Sequence, residues 1–451
     1  MDTLTYAGLL RGNRSFLRLW SGQVVSELGN WFNFIAGLGL VRAVSTAAPE
    51  ATAIMLVARL APFAIFAPFA GAFVDRWSRR RVMIVSDLLR AIVALGFLFV
   101  RGPADLWIAY ACSVAAALLT AFFEAARNAA MPNITGSKGL LAGNALMFSS
   151  RFLLMSLGAA LGGWASAYFG YQVAFIINAL SFLVSAYSIW LIPEKEMKEE
   201  GRVEDGERFE AEGGRAKKGV RFWNDLQEGW RYIAQFPLVA ALIGVNMLWA
   251  TGGGACNLIY DRLGGVVFAG QGGLEGDAGV AALYASVGFG AFVGMLCARR
   301  IGSHVALHGA TAKFIGWMLL AHGVVFATAG LMPTLWLAGF FMFLSRVIIG
   351  MEFAVQETLL MHLIPDSLRG RVITTDRAAE ILVMSVSTVF AAWSLHAITP
   401  RALTVISGLL SASPGLLWLA LFASGRLRMP PEVETSREQD EEKSVLLASA
   451  G

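Results

Sequence analysis

Apolar residues in this chain fall into blocks of bilayer length separated by short polar breaks. A transmembrane helix needs about 20 mainly apolar residues. By that measure the sequence divides into twelve spans, near 17–41, 51–74, 82–100, 107–130, 141–168, 172–192, 236–260, 278–299, 311–331, 334–358, 372–396 and 402–424. Between the sixth and seventh spans the chain turns hydrophilic, from Glu194-Lys-Glu-Met-Lys-Glu-Glu200 to Arg215–Lys218. So little apolar surface cannot pack on its own, and 193–235 reads as a cytoplasmic linker. Phe222, Trp223, Leu226, Trp230 and Ile233 lie near helical spacing, the pattern of an interfacial helix over 220–235. The expected fold is all-α and integral to the membrane, with twelve transmembrane helices in two six-helix bundles, 1–192 and 236–425. A Glu-rich tail, 426–451, is expected to be disordered.

Composition agrees with lipid as the solvent. Of 451 residues, 56% are hydrophobic and only 15% charged, with a mean hydropathy of +0.60. A soluble domain carries about a quarter charged residues. The pI near 9.0 would suggest a nucleic-acid partner in a soluble chain, but here the excess charge lies in alternate loops. One set holds Arg11, Arg14 and Arg18; Arg76 and Arg79 to Arg81; Arg127 and Lys138; Arg299 and Arg300; Arg369 and Arg371; Arg426 and Arg428. The other set holds Arg42, Arg101, Arg262 and Arg401. Positive loops stay on the cytoplasmic side, so both termini are placed in the cytoplasm and no nucleic-acid partner is expected. A plasma or inner membrane is the expected location, with an organelle membrane as the alternative.

No cofactor or metal is expected. Cys112, Cys256 and Cys297 are far apart, and the His304/His308 pair has no nearby carboxylate. No cleavable signal peptide is evident, so the first helix is expected to remain. The chain has no G-x-x-x-x-G-K-[ST] phosphate loop, which argues against direct ATP drive. A membrane enzyme is disfavoured because no clustered His/Cys/carboxylate set stands out.

Polar residues inside the spans are the candidate chemistry. Gln23, Ser26, Glu27, Asn30 and Asn33 fall on one face of the first helix. Glu27 lies ~15 Å into its span, near the midplane. An intramembrane carboxylate is a functional candidate by default, and two readings stay open: a proton carrier, or a packing partner for an arginine. Arg151 and Arg346 lie mid-span in helices five and ten. An unpaired charge at such depth costs at least ~2.5 kcal/mol, so partners are expected: Glu27 or Glu124 for Arg151, and Glu380 for Arg346. Glu352 lies nearer the cytoplasmic end of helix ten and is the next carboxylate candidate beside Glu124.

Between spans two and three stands Gly71-Ala-Phe-Val-Asp75-Arg76-Trp-Ser-Arg79-Arg80-Arg81. Its G-x-x-x-D-R-x-x-R-R pattern closely resembles the signature loop of the major facilitator superfamily. The bland alternative is an arginine loop that only sets topology. Further stretches resemble the macrolide-efflux and siderophore-exporter branch of the drug–proton antiporters. They are Asn13 to Gln23, Gly29-Asn30-Trp31-Phe32, Ala126-Arg127 through Pro132, Gly143-Asn144-Ala145-Leu146, and Pro365 to Val372. Leu157-Gly158-Ala-Ala-Leu-Gly162-Gly163 is similar to the antiporter motif of helix five, with Ala159 in place of the usual Pro. Close helix packing also explains those glycines. Relatives often carry Asp at the position of Asn30, and Glu27 lies one turn away.

The resemblance implies the major facilitator fold, with a central cavity and alternating access. It implies that Gly71, Asp75, Arg76, Arg79 and Arg80 help latch the two halves in the outward-facing state, with Asp75 facing the start of helix eleven near Arg371. A helix N-terminus suits a carboxylate. A faint internal repeat fits a duplicated six-helix unit: Gly71 aligns with Gly294, and Ala129–Pro132 with Met361–Pro365, each closing a fourth helix. The implied function is export of a small hydrophobic or amphiphilic molecule, driven by inward proton flow. The expected partners are the substrate, protons and the lipid bilayer, with the chain a monomer. Import of a nutrient or siderophore, and a non-transporting receptor, are the alternatives.

Overall fold

The computed structural model describes residues 6–74, 77–197, 231–271, 274, 276–307 and 309–429. These are almost wholly helical, with no strand among the described residues. The first half comprises α1 (Arg14–Val44), α2 (Pro49–Val74), α3 (Arg79–Gly96), α4 (Pro103–Gly136), α5 (Lys138–Phe169) and α6 (Tyr171–Trp190). The second comprises α7 (Pro237–Val267), α8 (Gly276–Leu307), α9 (Thr311–Leu331), α10 (Leu335–Leu363), α11 (Asp366–Ser394) and α12 (Pro400–Ala423). Of the linker, 193–197 and 231–235 are described; the interfacial helix expected over 220–235 otherwise lies outside the described residues.

Eleven of these helices are long and apolar enough to cross a membrane. The one that falls short is α11, and the reason is chemical. Its 29 residues suffice in length, but Asp376, Arg377 and Glu380 sit in its middle. Those charges turn toward neighbouring helices: Asn246 of α7 donates to Asp376 at 3.0 Å, and Arg377 pairs with Glu357 of α10 at 3.1 Å. A helix that turns its charges into the bundle can still span lipid, although Asp376 Oδ1 has no hydrogen-bond partner among the described residues.

Helix four is longer than expected. The chain stays helical through Pro132 and breaks at Gly136, whose φ of 64° is left-handed and open mainly to glycine. Ala129–Pro132 therefore does not close the helix.

The buried apolar residues divide into one core shared by both halves, one larger core private to each half, and a small cluster of Ala91, Ala94, Ala179 and Phe182 in the first half. One core joins both halves, with Phe34, Ile35 and Leu38 of α1 packed among Tyr260 and Leu263 of α7 and Tyr284 of α8. It lies at the end that carries the α1–α2 and α7–α8 connections. At the opposite end each half keeps its own core, one around Phe16, Val82 and Ile189, the other around Leu242, Leu360 and Trp418. The halves meet along α5–α8 and α2–α11. On α5, Gly158 lies against Trp31, Gly162 against Phe32 and Gly163 against Ala281, so a side chain at any of them would push α1 or α8 away. The outer face exposes Ile92, Leu180, Leu296 and Phe390. Such a surface is tolerable in lipid and not in water.

Candidate functional site

A cavity of about 260 Å³ lies within the first half, walled by α1 to α6 and touched by Ile381 of α11. Gln23, Ser26, Glu27, Asn30 and Asn33 all line it, because their three- and four-residue spacing keeps them on one side of α1. Glu124 of α4 and Arg151 of α5 complete the group that the structure brings together. Asn30 donates to Glu27 at 3.5 Å, and Gln23 to Ser185 at 3.4 Å.

The charges form a loose chain. Arg151 stands 4.0 Å from Glu27 and 3.8 Å from Glu124, and Glu124 stands 3.8 Å from Arg127. The Arg151 side chain is 60% exposed, open to the cavity that it lines. Pairs this long and this open contribute ~0–1 kcal/mol. They hold charge in place without tying it up, which leaves it available to a ligand or a proton.

Two cavity residues escaped the sequence reading. Arg90 of α3 is buried, paired with Asp87 one turn away and placed over the rings of Phe123 (4.3 Å) and Phe182 (4.5 Å). Arg59 of α2 sits with its guanidinium 4.6 Å from the centre of the Phe34 ring. Arg59 stands alone in a long apolar run and Arg90 shares its run only with Asp87, and charge so placed is the signal that could have found them.

Beyond the cavity, at the end where the core is shared, charges clasp the two halves. Arg42 of α1 lies between Asp261 of α7 and Asp277 of α8. Arg262 pairs with Asp261 at 2.8 Å and donates to Thr52 Oγ1 at 2.7 Å and to the Ala47 carbonyl at 2.5 Å. Glu50 meets His396 at the rim. Arg42 and Arg262 had the pattern of loop charges; the two carboxylates that hold Arg42, and the Ala47 and Thr52 oxygens that hold Arg262 across the halves, are all more than 200 residues away and carry no local mark.

The remaining expected residues lie elsewhere. Arg346 is in the second half and donates to the Tyr260 hydroxyl at 2.7 Å. Its expected partner Glu380 does not pair with it. Glu380 bonds Arg377 at 2.9 Å, three residues away on its own helix, and Arg377 also reaches Glu357. Depth in the bilayer matches Glu380 to Arg346, but the direction each takes from its helix does not. Glu352 is buried in α10, and its Oε1 has no hydrogen-bond partner among the described residues.

Of the loop between α2 and α3, Asp75, Arg76 and the Arg371 side chain they were expected to face lie outside the described residues. Gly71 ends within α2, with open space where a Cβ would stand. Ser78 caps α3 and donates to Glu194 at 3.1 Å. Arg79 donates to the carbonyls of Ala129 (2.8 Å) and Met197 (3.4 Å), and Arg80 to that of Trp190. These partners belong to the first half or to the turn that follows α6.

Comparison with known proteins agrees with this architecture. The Major Facilitator Superfamily model matches residues 19–374. "Uncharacterized MFS-type transporter YfiS" of Bacillus subtilis (strain 168) is 23% identical over 235 residues, and the chain spans about half of that relative, 52%. "Uncharacterized MFS-type transporter Rv0037c" of Mycobacterium tuberculosis is 26% identical across 82% of each chain. "Putative bacilysin exporter BacE" of Bacillus subtilis is 31% identical over 142 residues, 30% of this chain and 34% of that protein. Among solved structures, a bacterial homologue of the iron transporter ferroportin in an inward-facing state superposes with a TM-score of 0.64. It shares 12% identity and covers 90% of this chain and 98% of its own, which speaks to the fold alone.

Proposed function

The chain belongs to the Major Facilitator Superfamily and is a multi-pass membrane transporter, and on that premise we propose that it exports a small hydrophobic or amphiphilic molecule in exchange for protons. The observation that carries this reading is the cavity beside α1, where a polar stripe and a loosely paired Glu27–Arg151–Glu124 chain face a space large enough for a small molecule.

Sidedness follows from charge. The end with separate cores carries the arginine-rich loops, so it is assigned to the cytoplasm. The structure then corresponds to an inward-facing state, sealed on the outside by the shared core and the Arg42 clasp. Substrate enters from the cytoplasm or inner leaflet. Closure of the cytoplasmic end and release of the clasp would carry it across, with Gly71, Asp75, Arg76, Arg79 and Arg80 acting as the latch of the opposite state. In the present state Arg79 and Arg80 are held by carbonyls of their own half.

Coupling is assigned to Glu27. Ionised, it is drawn to Arg151; with a proton bound to its carboxylate it is neutral, and Arg151 is left to Glu124 alone. One proton taken up outside and released inside thus accompanies each cycle. Arg346 and Glu352 are candidates for substrate contact or coupling in the second half. Export is supported by the resemblance to the macrolide-efflux and siderophore-exporter branch and by the relative named as a bacilysin exporter. The chain is placed as a monomer in the plasma or inner membrane, with both termini cytoplasmic.

The test compares small-molecule pools in the medium of cells that make the wild-type chain or Glu27→Gln. A compound enriched outside only with the wild type, and lost on adding a protonophore, is the expected result. Depletion of a compound from the medium would instead indicate import.

A further inference from the structure

The guanidinium of Arg59 is the one cation in the cavity lining with no carboxylate within 4.0 Å among the described residues. It also makes no hydrogen bond to any of them; its guanidinium lies against the face of Phe34, and Glu27, beyond 4.0 Å and already beside Arg151, is the carboxylate that acts on it from a distance. The other three guanidiniums of the lining are matched: Arg90 by Asp87, Arg127 by Glu124, and Arg151 by Glu27 and Glu124. Four guanidiniums thus stand against three carboxylates, and the surplus positive charge falls at Arg59. It lies ten residues into α2, at mid-membrane depth, where a charge without a partner is costly and is kept for a function.

We propose that the molecule carried in this cavity bears an acid group, a carboxylate, sulfonate or phosphate, which Arg59 takes as its missing partner; this rests on reading the cavity as the transport site. Guanidinium suits the role because its planar fork grips two oxygens at once. Phe34 beneath it fixes the plane of the fork and repels nothing anionic that approaches from the cavity side. Met55, Leu60, Phe63 and Phe97 line the same region, so the acid group is one end of an otherwise apolar body. A cationic amphiphile would meet the surplus charge as repulsion.

The experiment uses the purified full-length chain in dodecyl maltoside and three probes with one ring system: 1-naphthylacetate, 1-naphthylacetamide and 1-naphthylmethylamine. Binding is read by quenching of tryptophan fluorescence. Wild type should bind the acid about ten-fold more tightly than the amide, with the amine weakest. Arg59→Gln should bring acid and amide together, and Arg59→Lys should restore part of the preference. Equal binding of acid and amide by wild type, no binding of the acid, or a preference that survives in Arg59→Gln overturns the proposal. Arg59→Lys keeps the charge and covers the case in which Arg59→Gln does not elute as a single folded species. Ala116→Trp, which fills the cavity, separates the two claims. If it weakens all three probes while wild type shows no acid preference, the acid assignment alone fails. If it leaves all three unchanged, the cavity is not the binding site and the transport-site reading fails with it. Phosphatidylglycerol added to the micelles should displace the acid only if a lipid headgroup is the natural source of the acid group.

Discussion

Arg42 and Asp261 pair across the two halves of the chain, with Asp261 wholly buried and Arg42 nearly so. Without the Asp261 charge, Arg42 keeps Asp277 but the buried Arg262 loses its carboxylate, and a buried charge stranded in this way costs about 3–5 kcal/mol. Here that cost falls only on the state in which the halves touch at this end. Asp261→Asn should therefore shift the protein toward the opposite-facing state as well as lower its thermal stability. A cysteine placed at Thr120, in a background without Cys112, Cys256 and Cys297, would report on this by its labelling from the cytoplasmic side. We expect that labelling to slow by about ten-fold or more. Unchanged labelling would mean that the clasp does not hold the state.

Glu27→Gln fixes the neutral form of the proposed carrier. It should bind substrate and allow exchange, yet fail to concentrate substrate against a gradient in sealed vesicles. Uphill transport with a normal dependence on the pH gradient would remove Glu27 as the carrier and turn attention to Glu124 and Glu352.

Asp75→Asn should leave the chain expressed at its usual level but slow the transport cycle, because the outward-facing state loses its latch. Wild-type turnover at equal membrane abundance would refute that role.

An epitope inserted near Gly206 should be reached by antibody only after the cell is permeabilised. One inserted near Gly272 should be reached from outside. Labelling of both from the same side is incompatible with six spans before the linker.

Glu352 presents a different expectation. Its Oε1 has no partner among the described residues, and a buried polar atom left so costs ~1–3 kcal/mol, so Glu352→Leu should raise the melting temperature in detergent. A lower melting temperature would show that Glu352 makes a bond worth keeping.

Much of this architecture was legible in the order of residues. Apolar runs located the spans, and the regular spacing from Gln23 to Asn33 marked the face of α1 that meets the cavity. Even α11 was legible from the apolar residues around its charges. What was not legible depends on direction and distance. Glu380 and Arg346 have suitable depths but point to different neighbours. Arg42 and Asp261 are 219 residues apart, and nothing near either residue indicates the other. Arg59 has one signal, its isolation in an apolar run, and nothing near it in the sequence shows that it faces the cavity.

The division of the interior into one shared core and several private ones bears on how such a chain can change over generations. Residues around Phe16 and Val82, or around Leu360 and Trp418, have only to keep their own half solid, so they can drift wherever volume is conserved. On the proposed cycle Phe34 has a double duty, since it must seal tightly against Tyr260 and Tyr284 of the other half and still part from them each time the transporter turns over. A substitution that makes this seam stickier would toughen the protein and slow it in the same stroke. Variants selected only for heat resistance should therefore collect changes at the seam and lose speed, whereas those selected for speed should leave the seam alone and vary the private interiors.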